Sequence, residues 1–241
     1  MDMTREALQY IAGLKKAEVI EINGENYTDK EVYRVDRVLR AAPIKMHTLT
    51  GLLDYLKAGI DSVADRMIVQ VVSPTTVCVL SKLNTDRKRE ELVHIEADIP
   101  EFNYGQYMEQ ESFLIAMQAK FLAAGDRDLL LRFAGTVKDE SIAEYGDNGV
   151  TQKATIKTGI STVSDAIVPN PVVLSPFRTF VEVMQPESSF IFRMRQREGR
   201  GVECAIFEAD GGAWKNEAMR NIKEYLKENL CDLLDQFTVI S

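Results

Sequence analysis

Apolar residues recur along this chain in two rhythms. Steps of two predict strands; steps of three and four predict helices. Residues 4–14 read as a short helix. AEVIEI (17–22) and the stretch 31–38 alternate like strands, with Asn23-Gly24 available as a turn. Thr48 or Thr50 can cap a helix that carries Leu49, Leu52, Leu53 and Leu56 on one side. MIVQVV (67–72), TVCVLS (76–81) and ELVHIEA (91–97) are three strands. Their connections, around Ser73-Pro74 and through NTDRKRE, are too short for parallel crossovers, so an antiparallel meander is expected.

MEQESFLIAMQAKFLAA (108–124) places Phe113, Leu114, Met117, Phe121 and Leu122 on one helical face, with Gly125 as the stop. DLLLRFAG is a short apolar helix, and Asp147-Asn148-Gly149 is a hairpin turn between two strands. VVLSPFRTFVEV (172–183), SSFIFRMRQR (188–197) and GVECAIFEAD (201–210) read as three successive strands. Over 213–234, Trp214, Ala218, Ile222, Leu226 and Leu230 step by four along a second long helix, and FTVIS closes as a strand. The sum is an α+β fold. Antiparallel sheets, a meander and a C-terminal three-stranded hairpin unit, are covered by two or three long helices. A helix and hairpin over 1–45 are expected to pack on a main domain over 46–241. Pro43 and Pro169-Asn170-Pro171 mark the internal joints.

Composition narrows the classes. The 241 residues are 45% hydrophobic, enough to fill a core without disulfide or metal staples. The net charge of −8 disfavours indiscriminate binding to DNA or anionic membrane, while leaving room for a local basic groove. No apolar run approaches the roughly 20 residues of a membrane span, and the N-terminal residues lack a secretion signal's apolar region. Cys78, Cys204 and Cys231 are odd in number and far apart, which predicts reduced core thiols and a cytoplasmic protein.

Few motifs carry chemistry. FEADGGAWKNEAMRNIKEYL has the strand, glycine turn and helix of many phosphate sites. It lacks a Gly-Lys-Ser/Thr step and a G-x-G-x-x-G pattern. The plainer reading is a strand-to-helix corner in which Gly211 and Gly212 supply unusual φ, Asp210 caps and Trp214 anchors. The sharper one is an anion site using Trp214 and Lys215. In FIFRMRQREGR, Phe190, Phe192 and Met194 face one way while Arg193, Arg195 and Arg197 face the other, with Arg200 in the turn. Arg178 on the preceding strand would join them. Rigid guanidinium forks suit phosphate or carboxylate, but such a stripe also forms a solvated face paired with acids. A three-residue hairpin loop would set Arg195 opposite Glu203; a two-residue loop would set it opposite Cys204. Phe102, Tyr104 and Tyr107 would pack as core or stack bases. His47 and His94 show no metal-ligand spacing, and there is no C-x-x-C or G-x-S-x-G, so no catalytic residue, metal site or cofactor is expected. His94 reads as a strand residue. The Glu96/Asp98 and Asp139/Glu140 pairs leave a carboxylate-bound metal open.

PNPVVLSPFRTFVEVMQPESSFIFRMR, FEADGGAWKNEAMRNIKEYL, DNGVTQKATIKTGI, LTGLLDYL and VQVVSPTTVCVLS together resemble a family of phage and prophage proteins of uncharacterised function, the YfdQ-like family. The similarity runs from about residue 30 to the C-terminus. It implies a phage-encoded protein of the bacterial cytoplasm, from early regions near recombination and replication functions, and it transfers no catalytic residue. The expected function is non-enzymatic. A homo-oligomer would sequester a small anionic, nucleotide-like ligand for counter-defence, through Arg178, Arg193, Arg195, Arg197, Trp214 and Lys215. The alternatives are a single-stranded nucleic-acid-binding accessory protein using the arginine face and a metal-dependent nucleotide hydrolase.

Overall fold

A computed structural model describes residues 4–13, 17–22, 24–28, 41–61, 66–84, 87–136, 142–147, 152–158, 162–197 and 201–241. The strand expected over 31–38, the Asn148-Gly149 turn, the Asp139/Glu140 pair and Arg200 lie outside these residues. The chain divides into two compact units, Met1–Ala41 and Ala42–Ser241. The first holds helix α1 (Arg5–Gly13) and a hairpin of β1 (Val19–Ile22) with β2 (Glu25–Thr28). The partner of β1 is therefore the segment directly after the turn, where Gly24 adopts φ 82°. Its described side chains are all exposed or half-buried.

The second unit is α+β. Strand β3 (Ile44–Met46) leads to helix α2 (Leu49–Ala58), whose first turn is capped by Thr48 Oγ1 accepting from the Gly51 N–H at 3.1 Å. Strands β4 (Met67–Ser73), β5 (Thr76–Leu80) and β6 (Glu91–Glu96) form the expected antiparallel meander. Next come β7 (Met108–Glu109), α3 (Gln110–Lys120) and α4 (Arg127–Thr136), then β8 (Ile142–Asp147), β9 (Gln152–Thr158) and β10 (Thr162–Ile167), which make a sheet of their own. The chain ends with β11 (Val172–Leu174), β12 (Ser188–Arg197), β13 (Gly201–Glu208), α5 (Trp214–Asn229), a 3-10 turn (Cys231–Leu233) and β14 (Phe237–Ile240).

Two strands distant in sequence complete the meander. β14 pairs parallel with β4 and β3 pairs parallel with β6, giving the order β14-β4-β5-β6-β3. A four-stranded antiparallel sheet runs β11-β12-β13-β7. Each of these two sheets buries one face. Val69, Val71, Val77, Val79, Val93 and Ile95 meet Leu49, Leu52 and Leu53 of α2 and Ile222 and Leu226 of α5 in the first core. Phe190, Phe192, Met194, Cys204 and Ile206 meet Phe113 and Met117 of α3 and Leu130 and Phe133 of α4 in the second. Among the described residues no helix is long and apolar enough to cross a membrane.

The pattern misleads at three places. The helix expected over 108–124 is shorter at both ends. Met108–Glu109 pairs with β13, and from Phe121 the chain is extended, because Leu122 N–H is drawn to Ser175 O at 2.9 Å and Phe121 bridges Pro176. The strand expected over 172–183 stops at Leu174. Pro176 has no N–H for a ladder, and the segment after it winds around one side chain. Gln185 Oε1 accepts from the N–H groups of Arg178 (3.0 Å) and Thr179 (3.2 Å), while its amide donates to Phe180 O at 2.9 Å. The last helix ends at Asn229 and tightens into the 3-10 turn rather than running to 234.

Gly125 is no helix stop. It has φ 57°, and a Cβ there would lie 2.4 Å from Val173 O. The neighbouring Asp126 ties the chain to β11, its N–H donating to Val173 O and its carboxylate accepting from Val173 N–H. Gly125→Ala should therefore cost at least about 2 kcal/mol, through strain and overlap together. Thermal melts should show Tm lower by roughly 5 °C. Gly13→Ala, whose Cβ meets nothing within 4 Å, should leave Tm nearly unchanged. Equal melts for both variants would show that β11 yields at this contact.

Candidate functional site

The arginine stripe lies on the face of β12 that points away from the second core. Its register settles the hairpin: Arg197 pairs with Gly201 and Arg195 with Glu203, across a three-residue loop. Arg195 Nε donates to Glu203 Oε2 at 2.7 Å, and Arg197 Nη1 sits 3.5 Å from Glu203 Oε1. Arg193 Nη1 turns back onto Phe192 O. The Arg195 guanidinium also stacks over the Tyr107 ring, 3.9 Å from its centroid. The hydrogen bond from Arg195 holds the Glu203 carboxyl below the usual range, with the charges of Arg195 and Arg197 adding to it against the opposing effect of burial. One buried carboxylate thus neutralises part of the stripe, and Glu109 stands opposite Glu203 on β7.

Arg178 is not part of that stripe. It lies in the segment wound around Gln185, and its guanidinium enters the opposite side of the sheet, 5.5 Å from the Phe190 ring and 4.0 Å from the Trp214 ring. Its Nη1 donates to Glu208 Oε1 at 2.8 Å and its Nη2 donates to Ser188 Oγ. Ser188 Oγ–H in turn donates to Asp210 Oδ2 at 2.7 Å. Asp210 Oδ1 accepts from Gly212 N–H at 3.0 Å, and Gly211 and Gly212 take φ 63° and 81° to turn the chain into α5. Burial lowers the pKa of the arginine, a shift opposed by Tyr104, Glu208 and Asp210. Its Nε is buried with no hydrogen-bond partner among the described residues. Lys215 is exposed, with Nζ 5.9 Å from the Trp214 ring.

The six residues expected to share a ligand therefore occupy two faces of one sheet. Arg193, Arg195 and Arg197 are together. Arg178 and Trp214 form a cation–π clamp on the other side, with Lys215 beside it. The aromatic cluster divides in the same way. Tyr104 stacks on Phe190 and Phe102 meets Phe121 edge-on within the second core, whereas Tyr107 lies under Arg195. Burial pushes the Tyr104 phenol up to about 12.

A basic cavity of about 370 Å³ lies elsewhere, lined by Arg66, Met67, Ile68, Lys82, Leu83, Arg89, Thr238 and Ile240. Parallel pairing of β14 with β4 sets Thr238 beside Ile68, and the β5–β6 connection brings Lys82, Leu83 and Arg89. Arg66 Nη2 donates to Leu234 O at 3.2 Å and Arg89 Nη1 to Ser81 O at 2.8 Å, so backbone carbonyls steady both guanidinium groups. The sequence reading missed this cavity, because its lining comes from three separate stretches, around Ile68, Lys82 to Arg89 and Thr238, and the second of them read only as a charged turn.

The cysteines differ from the expected core thiols. Only Cys204 lies in a core; Cys231 is exposed, and Cys78 is buried on the outer face of the five-stranded sheet. There Cys78 Sγ is 3.4 Å from His94 Nδ1, which is 2.8 Å from Glu91 Oε1. His47 Nδ1 meets Glu96 O at 2.9 Å and Asp98 at 3.6 Å, both on the surface. No protein-family model matches the chain, and no curated protein and no solved structure is found similar to it.

Asp210 gives a test of the clamp. Burial would raise its pKa, but hydrogen bonds from Ser188 and Gly212 and the nearby Arg178 charge win, so the folded value lies below the usual one. A carboxylate depressed on folding stabilises above its unfolded pKa of about 3.9, and that contribution is lost as pH falls through the folded value. Asp210→Asn keeps the shape and removes the charge. The variant should be less stable than the parent at pH 7, and the gap in urea midpoints should close below about pH 4. A gap that stays constant with pH would mean that shape, not charge, holds the corner.

Proposed function

We propose that the protein binds, without turning it over, a small amphipathic anion of nucleotide-like size in the cavity beside β4 and β14. One observation carries this reading. Three cations, Arg66, Lys82 and Arg89, border an apolar patch of Ile68, Leu83 and Ile240 in a chain whose net charge is −8. Ligand pockets span about 300–1,000 Å³ and combine apolar walls with a few placed polar groups. A phosphate would meet the guanidinium forks, and a base or other apolar body would lie on the aliphatic floor, with the Thr238 hydroxyl within the same wall. The resemblance to phage and prophage proteins supports a setting in the bacterial host cytoplasm, where a homo-oligomer of such subunits would sequester a nucleotide signal of host defence.

A second reading places single-stranded nucleic acid along Arg193, Arg195 and Arg197. The Tyr107 ring beside Arg195 favours it, since aromatic and cationic side chains together bind strands. The Glu203 carboxylate weighs against it.

Titration of a fluorescent adenine mononucleotide, with inorganic phosphate as competitor, separates these readings. Arg66→Glu with Lys82→Glu should raise Kd by about tenfold or more, a loss of roughly 1.4 kcal/mol. Replacing Arg193, Arg195 and Arg197 with Gln should leave Kd unchanged. The reverse pattern would move the ligand to the stripe, and release of product from the nucleotide would overturn binding without turnover.

A further inference from the structure

Cys78, Glu91 and His94 come together through strand pairing and one irregularity. Cys78 and His94 are direct cross-strand partners on β5 and β6. Their side chains share the outer face, because Val77, Val79, Val93 and Ile95 fill the inner one. By alternation alone Glu91 would follow Val93 and Ile95 inward. The register shifts between Val79 and Leu80, so Glu91 stands opposite Leu80 instead. A bulge of this kind re-aims a side chain, and here it turns Glu91 onto the face of His94. The three ligand atoms all lie within 4.8 Å of one another.

The same nitrogen, His94 Nδ1, faces both the thiol and the carboxylate. A nucleophilic relay needs the opposite: the nucleophile on one ring nitrogen and the orienting acid on the other. One imidazole nitrogen serves one proton at a time, so the two neighbours compete for it. A cation at their centre would take all three atoms as donors and end the competition.

We propose that Cys78 Sγ, Glu91 Oε1 and His94 Nδ1 form a site for one divalent transition-metal ion, with Zn²⁺ as the best match. The donor set of sulfur, nitrogen and oxygen is borderline-soft, which suits zinc over magnesium or calcium. Tetrahedral zinc bonds of about 2.0–2.3 Å place neighbouring ligand atoms roughly 3.3–3.8 Å apart. The observed 3.4 Å already fits, and the 2.8 Å pair needs to open by roughly half an ångström. A thiolate and a carboxylate balance the charge of the ion. The Glu91 and His94 side chains are 37% and 36% exposed, leaving an entry path and a fourth position for water or another small donor. Gln70 and Lys45 are the next residues across the strands on this face. The site shares no residue with the basic cavity, so its test is independent of the ligand proposed there.

Co²⁺ titration of the full chain reads the thiolate directly, and competition of Zn²⁺ against a chromophoric chelator gives the affinity. One equivalent should bind, with a sulfur-to-cobalt charge-transfer band that Zn²⁺ displaces. Cys78→Ser should abolish the band, while Cys231→Ser, at the exposed cysteine, should keep it. His94→Ala should weaken Zn²⁺ binding by at least about tenfold, with circular dichroism confirming that each variant is folded. Absence of stoichiometric metal binding by the folded parent would overturn the proposal, as would a band that survives Cys78→Ser.

Discussion

The side-chain amide of Gln185 holds together the segment on which both cores depend. Between Ser175 and Glu187 the chain makes no ladder, yet Ser175, Arg178, Thr179, Phe180 and Gln185 are almost wholly buried. Buried backbone without partners is costly. Gln185 supplies those partners from within, accepting two N–H groups and donating to backbone carbonyls, and it frees the segment to serve two masters. Phe180 and Val183 insert into the first core, and Arg178 reaches into the second sheet beside Trp214. Thr179 Oγ1 meets Pro74 O in the β4–β5 turn, so the segment also fastens the meander.

This arrangement decides which arginines can act on a ligand. Arg178 is enclosed by Glu208, Ser188 and two aromatic rings, and its charge is committed to a corner that α5 needs. A buried charge separated from its partners is far more costly than one at the surface. The cations around Ile68, Leu83 and Ile240 stand at the rim of an open hollow, where desolvation is small. Arg178 is committed to holding a buried corner, whereas Arg66 faces a shared hollow that a ligand can enter.

The α+β class and the meander were legible because their signals are local. Alternation over MIVQVV, TVCVL and ELVHIE was enough, as was a four-residue stripe from Trp214 to Leu226. The strand expected through VVLSPFRTFVEV failed because apolar density persists beyond Pro176, where the residues fill a core without pairing. Nothing in local pattern announces that a glutamine will take over the work of a ladder. The sites were less legible still. Alternation showed that Arg193, Arg195 and Arg197 share a face, but not that Arg178 enters the other. The cavity depends on Thr238 pairing with Ile68 across most of the chain, and the placement of Glu91 beside His94 depends on a bulge that reverses the parity of one strand.

The parallel pairing of β14 with β4 has a kinetic meaning. Phe237 and Val239 close a core begun by Met67 and Val69, with the entire second sheet and its helices in between. Contacts so distant in sequence form late and slowly, because the chain must lose the entropy of a very long loop before they repay it. During synthesis the meander's inner face must wait, covered only by α2, until α5 and β14 have emerged. The second sheet, whose β12–β13 hairpin is local, can assemble first and carry the tail of the chain back toward the strand that needs it.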